Sequence, residues 1–286
     1  MKEVVVLSGK GGTGKTSITG SFAVLSNKKI LVDCDVDAAD LHLLLEPSAQ
    51  KVNEFWSGQV AVIDQDKCLQ CDLCRSLCRF DAITSDYVVD PISCEGCGFC
   101  SHVCPVEAIK MQDCMAGHWY VSKTNYGYMV HAKLGIAQEN SGKLVTQVRK
   151  EARHIAEKDD LELIISDGPP GIGCPVISSI AGVDLAVLIT EPTLSGIHDL
   201  ERVIEVCRHF EVPVLVCINK YDINEENTAQ IESYCRENNI EVAARIPYDN
   251  VVTEAMIKGL PVVAYSDGKV SQEIKKMWQK VHEVLG

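Results

Sequence analysis

Two stretches of the chain, CLQCDLCRSLC at residues 68–78 and CEGCGFCSHVC at residues 94–104, carry cysteine at the same four places. Cys68, Cys71, Cys74 and Cys78 map onto Cys94, Cys97, Cys100 and Cys104 at a constant offset of 26 residues, and the trailing FDAI and VEAI keep that register. An internal duplication at fixed spacing reads as two like halves of one small unit. From Val60 to Met111 the chain is rich in cysteine and acidic residues and poor in long apolar runs, whereas strand-and-helix texture precedes and follows it. The expectation is a domain inserted into a larger host, with residues 59–113 as the insert and 1–58 plus 114–286 as the host.

The host reads as α/β. Val4–Leu7 is a short apolar run before a glycine-rich turn, Thr16–Leu25 a helix, and Ile30–Val32 a second strand that ends in the acidic loop DCDVDAADLH. Asn140 and Ser141 are placed to cap a helix to about Glu157, with Leu144, Val148, Ala152 and Ile155 on one face. LELIISD, DLAVLIT, VPVLVCIN, EVAARIP and PVVAY are five further strand candidates, separated by helix-length segments. Short β-rich runs alternating with amphipathic helices imply a mostly parallel sheet covered on both faces.

Charge and cysteine usage narrow the function. A net charge of −13 argues against a nucleic-acid surface, which needs clustered Lys and Arg. MKEVVVLSGKGG has no apolar signal region and no apolar run is long enough to span a bilayer, so the reading is cytoplasmic. In such a chain, fourteen cysteines, eight of them within Cys68–Cys104, point to metal ligation rather than disulfides.

Gly9–Thr16 reads GKGGTGKT, which fits G-x-x-x-x-G-K-[ST] between a strand and a helix. Gly9, Gly11, Gly12, Thr13 and Gly14 would let backbone N–H groups face phosphate oxygens, Lys15 would reach the terminal phosphates, and Thr16 would ligate magnesium. With its second lysine, Lys10, the loop resembles the deviant Walker A motif of the Mrp/MinD class of P-loop ATPases. In that class the lysine contacts nucleotide phosphates, often across a dimer. The same resemblance gives catalytic roles to Lys10, Lys15 and Asp35, and places Asp33 and Asp167 with Thr16 in the magnesium shell. Asp167 ends the apolar strand of LIISDGPPGIG as in a Walker B motif, ahead of a Gly/Pro switch loop. Asp37 and Asp40 are the alternatives to Asp35.

Base recognition has two readings. Asn219-Lys220-Tyr221-Asp222 has the NKxD form that selects guanine, whereas IPYDNVVTEAMIKGLPVV resembles the MinD-type segment near adenine, with Pro247 and Asp249 in matching places. The resemblance favours ATP, with Asn219 serving adenine.

The C-x2-C-x2-C-x3-C blocks resemble bacterial two-cluster ferredoxins, in which the fourth cysteine of each block ligates the other cluster. That resemblance assigns Cys68, Cys71, Cys74 and Cys104 to one [4Fe-4S] cluster and Cys94, Cys97, Cys100 and Cys78 to a second. Zinc is the alternative, although tetrahedral zinc sites more usually use paired C-x2-C units. Pro105 follows Cys104 as the pattern expects, but Arg79 follows Cys78 where proline is usual. Outside the octet, Cys174 beside the switch loop and Cys114 are candidates for a further metal, with a small buried cysteine the preferred reading of Cys174. Cys34, Cys207, Cys217 and Cys235 look structural, and His118, His131 and His198 are left open.

The whole chain thus resembles MinD-superfamily P-loop ATPases carrying an inserted ferredoxin domain, relatives of the nitrogenase iron protein; GHWYVSKTNYGYMVHAKLGIAQENSGKL and TEPTLSGIHDL share in the resemblance. It implies ATP, magnesium and two [4Fe-4S] clusters as cofactors, a homodimer on ATP binding, and a redox or metallocofactor protein as partner. The leading expectation is an ATPase whose nucleotide state gates electron transfer through the clusters. The alternatives are a metal-cluster assembly or carrier ATPase, and a MinD-like positioning ATPase. The last needs a membrane-binding C-terminal helix. Val270, Ile274, Trp278, Val281 and Leu285 do form a stripe there, but docking of a last helix on the sheet explains it and is the preferred reading.

Overall fold

The computed structural model describes residues 1–135 and 140–286. The chain divides into two compact units. The first comprises Met1–Val52, Trp119–Lys133 and Ser141–Gly286; the second comprises Asn53–His118 with Leu134–Asn140, of which 136–139 lie outside the described residues.

In the first unit β1 (Lys2–Ser8) leads through the glycine loop into α1 (Lys15–Leu25), then β2 (Lys29–Asp33) and the short α2 (His42–Leu45). Strand β3 (Ser48–Ile63) carries the chain into the second unit, which holds the short helices α3 (Leu73–Ser76) and α4 (Phe99–Val103). Strand β4 (Ile109–Thr124) brings it back, and β5 (Gly127–Leu134) follows. The remainder alternates: α5 (Ser141–Lys158), β6 (Leu163–Pro170), α6 (Cys174–Ile180), β7 (Leu185–Thr190), α7 (Leu194–His209), β8 (Val214–Asn219), α8 (Glu225–Glu237) and β9 (Glu241–Ile246). Three helices close the chain: α9 (Val251–Ile257), α10 (Val262–Tyr265) and α11 (Lys269–Leu285).

The strand order is β3-β4-β5-β2-β6-β1-β7-β8-β9. The seven strands from β5 to β9 in that order pair in parallel. Parallel strands need crossover helices on both faces, so their interiors are apolar on both sides; β1 and β7 are buried almost throughout. Val4, Val6, Phe22, Leu31 and Ile165 pack on one face with α1, α10 and α11, and Val5, Leu7, Val176, Ile204 and Ile231 pack on the other with α6, α7 and α8. Register sets the chemistry: Asp33 at the end of β2 stands opposite Asp167 on β6, at the carboxyl edge of the sheet. Open α/β sheets bind ligands at that edge.

Two sequence expectations change. PVVAY is not a strand: Pro261 precedes the helix Val262–Tyr265, and Val262 and Val263 are buried against the core. A five-residue apolar run fits either element, and here proline's fixed φ suits the start of a helix. Strands β3, β4 and β5 were not expected; the last two are joined by a tight turn in which Thr124 Oγ1 accepts from Tyr126 N and donates to the Gly127 carbonyl. The C-terminal stripe is buried. Val270, Ile274, Trp278, Val281 and Leu285 join the main core, with the Trp278 ring 4.6 Å from that of Phe22. Among the described residues no helix is long and apolar enough to cross a membrane.

Across the other face, Arg149 of α5 is buried. It donates from Nε to Glu3 at 2.7 Å and from Nη1 to the Ala181 carbonyl at 3.0 Å, beyond the end of α6. Arg153 holds the second Glu3 oxygen. A buried carboxylate satisfied by two guanidiniums fixes where α5 lies against β1.

Truncating Trp278 to Ala removes the aromatic keystone of α11 and should cost about 3–5 kcal/mol, read as a fall in urea midpoint. His131 on β5 makes a second test. Its ring lies 2.9 Å from Ser122 Oγ, and burial, with His42 adding to it, pushes its pKa down to about 4. The unfolded histidine titrates near 6.5. Between those values the unfolded chain binds the extra proton, so stability is intact above about pH 6.5 and is lost as pH falls toward 4. Wild type should therefore lose about 2 kcal/mol more than His131→Gln over that window in parallel urea titrations.

Candidate functional site: a nucleotide cleft and two cysteine cavities

The glycine loop is built by backbone geometry. Gly12 and Gly14 have φ of 78° and 95°, a region closed to most side chains. At Gly14 a Cβ would also stand 2.6 Å from Asn219 Nδ2, so glycine is required twice over. At Gly9 a Cβ would meet Asp199 at 2.3 Å. Helix α1 begins at Lys15, directing its N-terminal N–H groups at the cleft, an arrangement suited to anions.

A cavity of about 560 Å³ opens here, and Gly11, Gly12, Gly14, Lys15, Thr16, Asp35, Asp40, Asn219, Pro247 and Asp249 are among its lining. Leu43, Val252 and Met256 add apolar surface to its wall. Of the expected residues, Gly9, Lys10, Thr13, Asp33 and Asp167 are not on this wall. Lys10 Nζ turns instead to Thr193 Oγ1 at 3.0 Å and pairs with Glu191 at 3.3 Å.

The acidic residues have separate tasks. Asp167 is buried and accepts from Thr16 Oγ1 at 2.7 Å and Thr19 Oγ1 at 2.8 Å. Its carboxyl is pushed up by burial, opposed by Lys15 and by those two hydroxyls. Asp33 is pushed up by burial first and then by Asp167 beside it. Its oxygens accept from the backbone N–H of Asp35 at 3.1 Å and of Leu41 at 3.2 Å, so it braces the acidic loop. Asp35 lines the cavity, and burial raises its pKa to about 6 against the pull of Lys15. A divalent cation next to Thr16 and Asp167 would relieve the crowding of negative charge.

Asn219, on the cavity wall, donates from Nδ2 to the Thr13 carbonyl at 2.7 Å and so pins the phosphate loop. Asp222 accepts from Tyr248 N at 2.7 Å and holds the segment that brings Pro247 and Asp249 to the cavity.

In the second unit the two cysteine blocks have matching backbones. Gln70, Asp72 and Asp81 have φ of 52°, 64° and 49°, and Gly96, Gly98 and Glu107, 26 positions on, have 61°, 73° and 51°. The cysteines surround two cavities. Cys68, Cys71, Cys74 and Cys104 line one; Cys78, Cys94, Cys97 and Cys100 line the other, with Cys74 shared at its wall. Backbone N–H groups point at sulfur, from Gln70 to Cys68 at 3.4 Å and from Ala108 to Cys104 at 3.3 Å. Both of those bonds fall at the first cavity, and four thiols per cavity is a donor set that suits an iron–sulfur cluster. Among the described residues no group of His, Cys, Asp or Glu side chains is gathered as tightly as a single metal ion requires.

Cys34, Cys207, Cys217 and Cys235 are buried. Cys174 is exposed at the start of α6, and Cys114 lines a small recess with Cys94. His198 lies exposed beside Asp199.

Residues 4–262 match the family profile described as the CobQ/CobB/MinD/ParA nucleotide binding domain. The chain belongs to this family. An uncharacterized protein of Methanocaldococcus jannaschii is 36% identical over 99% of the chain and 97% of its own length. An iron-sulfur cluster carrier protein of Pyrococcus horikoshii is 23% identical over 99% of the chain and 88% of its length. In fold, the chain is similar to the septum site-determining protein MinD of Pyrococcus horikoshii solved with Mg-ADP, with a TM-score of 0.62 at 21% identity, covering 100% of this chain and 97% of that one.

Within this CobQ/CobB/MinD/ParA member, sequence reasoning did not single out Glu191, which bridges Lys10 and Lys220 from the loop after β7. Its place in TEPTLSG was the available signal, but a loop glutamate has no motif of its own. Nor did it single out Thr19, one turn beyond Thr16 on α1 and therefore on the same side of the helix. Replacing Asn219 with Ala frees the Thr13 carbonyl. The expected result is a rise of about tenfold in the Kd of a fluorescent adenine nucleotide, the equivalent of one hydrogen bond of about 1.4 kcal/mol. An unchanged Kd would show that the bond does not hold the loop.

Proposed function

We propose that the protein is an ATP-binding and ATP-hydrolysing iron–sulfur protein that carries [4Fe-4S] clusters and delivers them under control of its nucleotide state. The observation that carries this reading is the gathering of all eight repeat cysteines around two cavities in a chain that also holds a complete phosphate loop. Whole-length similarity to proteins named iron-sulfur cluster carrier supports it.

In this reading the second unit is an inserted ferredoxin-like domain. Cys68, Cys71, Cys74 and Cys104 hold one cluster, and Cys94, Cys97, Cys100 and Cys78 the other. Iron–sulfur clusters supply electron storage and, when labile, a transferable inorganic unit. ATP lies along the cavity, its phosphates on Gly11–Thr16 and Lys15, magnesium at Thr16 and Asp167, and adenine toward Pro247 and Asp249. Asp33 braces the loop from which Asp35 orients the attacking water. Lys10, held away from its own cavity by Glu191 and Thr193, is positioned for the nucleotide of a second copy, so ATP binding brings two copies together.

A second reading has its own support: three thiols from one block completed by one from the other is the arrangement of permanently held clusters, which favours nucleotide-gated electron transfer to a redox partner. One series of measurements separates the two. Protein isolated anaerobically should contain about eight irons and eight sulfides per chain. On addition of an apo-ferredoxin, MgATP should change the rate at which the acceptor gains its cluster absorbance. No transfer, together with a cluster potential that moves with MgATP, would replace delivery by gated electron transfer. An iron-free protein that rejects reconstitution would sink both.

A further inference from the structure

The two cysteine cavities share a backbone plan but not their walls. The first encloses only about 20 Å³, and the second about 450 Å³. The exposure of the ligands does not account for this, because Cys71 and its mate Cys97 are both exposed.

The difference lies in what the repeat places around each. Leu69 lines the first cavity, and its mate Glu95 lines the second. Pro105 lines the first, and its mate Arg79 lines the second. Tyr87 also walls the first cavity, where its hydroxyl donates to the Gln70 carbonyl at 2.9 Å and its own carbonyl accepts from Gln65 at 2.8 Å. Its mate, 26 residues earlier, is Ala61, too small to cover anything. Gly96, the mate of Gln70, packs against the Gln59 backbone and has no tyrosine over it. Three independent substitutions between the halves therefore act in one direction. Leucine, proline and tyrosine close the first cavity; the second, with glutamate and arginine in the matching places and no tyrosine in the place of Tyr87, stays wide although Leu77, Phe80 and Phe99 also line it. The apolar shell around a metal site governs the access of water and competing ligands.

We infer that the cavity of Cys78, Cys94, Cys97 and Cys100 is the exchangeable site, from which a cluster is surrendered, and that the cavity walled by Tyr87 and Pro105 holds its cluster permanently. This rests on the reading above that both cavities take [4Fe-4S] clusters, and it names which of them is cargo.

The test is iron release from the intact, cluster-loaded protein into excess EDTA under argon, followed by cluster absorbance and by iron counting. In this reaction the chelator takes the irons, while sulfide and the four thiols are set free. Wild type should lose half of its iron about ten times faster than the other half. Tyr87→Ala should speed the slow half toward the fast one, Tyr87→Phe should leave it slow, and Arg79→Pro should slow the fast half. A single release rate in wild type would overturn the inference, as would a Tyr87→Ala variant, loaded with its full iron, whose slow half does not change. An isolated protein that neither holds nor accepts iron would instead defeat the cluster reading itself.

Discussion

Two carboxyl groups, Asp33 and Asp167, stand opposite one another at the end of adjacent strands, both buried. Their mutual repulsion is a cost that the fold has to manage, and much of the first unit is arranged around it. Asp167 is offset by Lys15 and by two threonine hydroxyls of α1, which thereby ties the phosphate-loop helix to the strand. Asp33 is offset by backbone N–H groups of the acidic loop, which fixes Asp35 at the cavity. Charge crowding that leaves a site short of positive charge is what a divalent cation relieves. The bound state is thus the one the residues are already organised to accept.

The phosphate loop is held from the opposite side as well. Asn219 reaches from the end of β8 to the Thr13 carbonyl, and Glu191 from the end of β7 to Lys10 and Lys220. Side chains from strands on both sides of β1 therefore converge on one loop. This is the physical content of a binding site at the carboxyl edge of a parallel sheet: consecutive crossovers leave their strand ends side by side, whatever their distance in sequence.

Much of this was legible in the residues. GKGGTGKT and the run ending at Asp167 specify a loop and a carboxylate because few other arrangements need those residues in that order. The duplicated cysteines announced two like halves through their offset alone. PVVAY was misread because a short apolar run has no period long enough to distinguish strand from helix. Strands β3, β4 and β5 went unread because they flank the cysteine segment and are polar enough to hide the alternation. Asn219 was read as a base contact; its bond to the loop was not read, because that role depends on β8 ending beside Gly14 in space. Glu191 shows the same limit: a carboxylate shared by two lysines from distant positions leaves no local trace.

The chain passes between its two units at residues 52–53, 118–119, 133–134 and 140–141. Gly135 donates to the Ala116 carbonyl, so the short return segment belongs to the cysteine-bearing body as much as the long one does. A single genetic excision of residues 53–118 would strand that return segment without its partner.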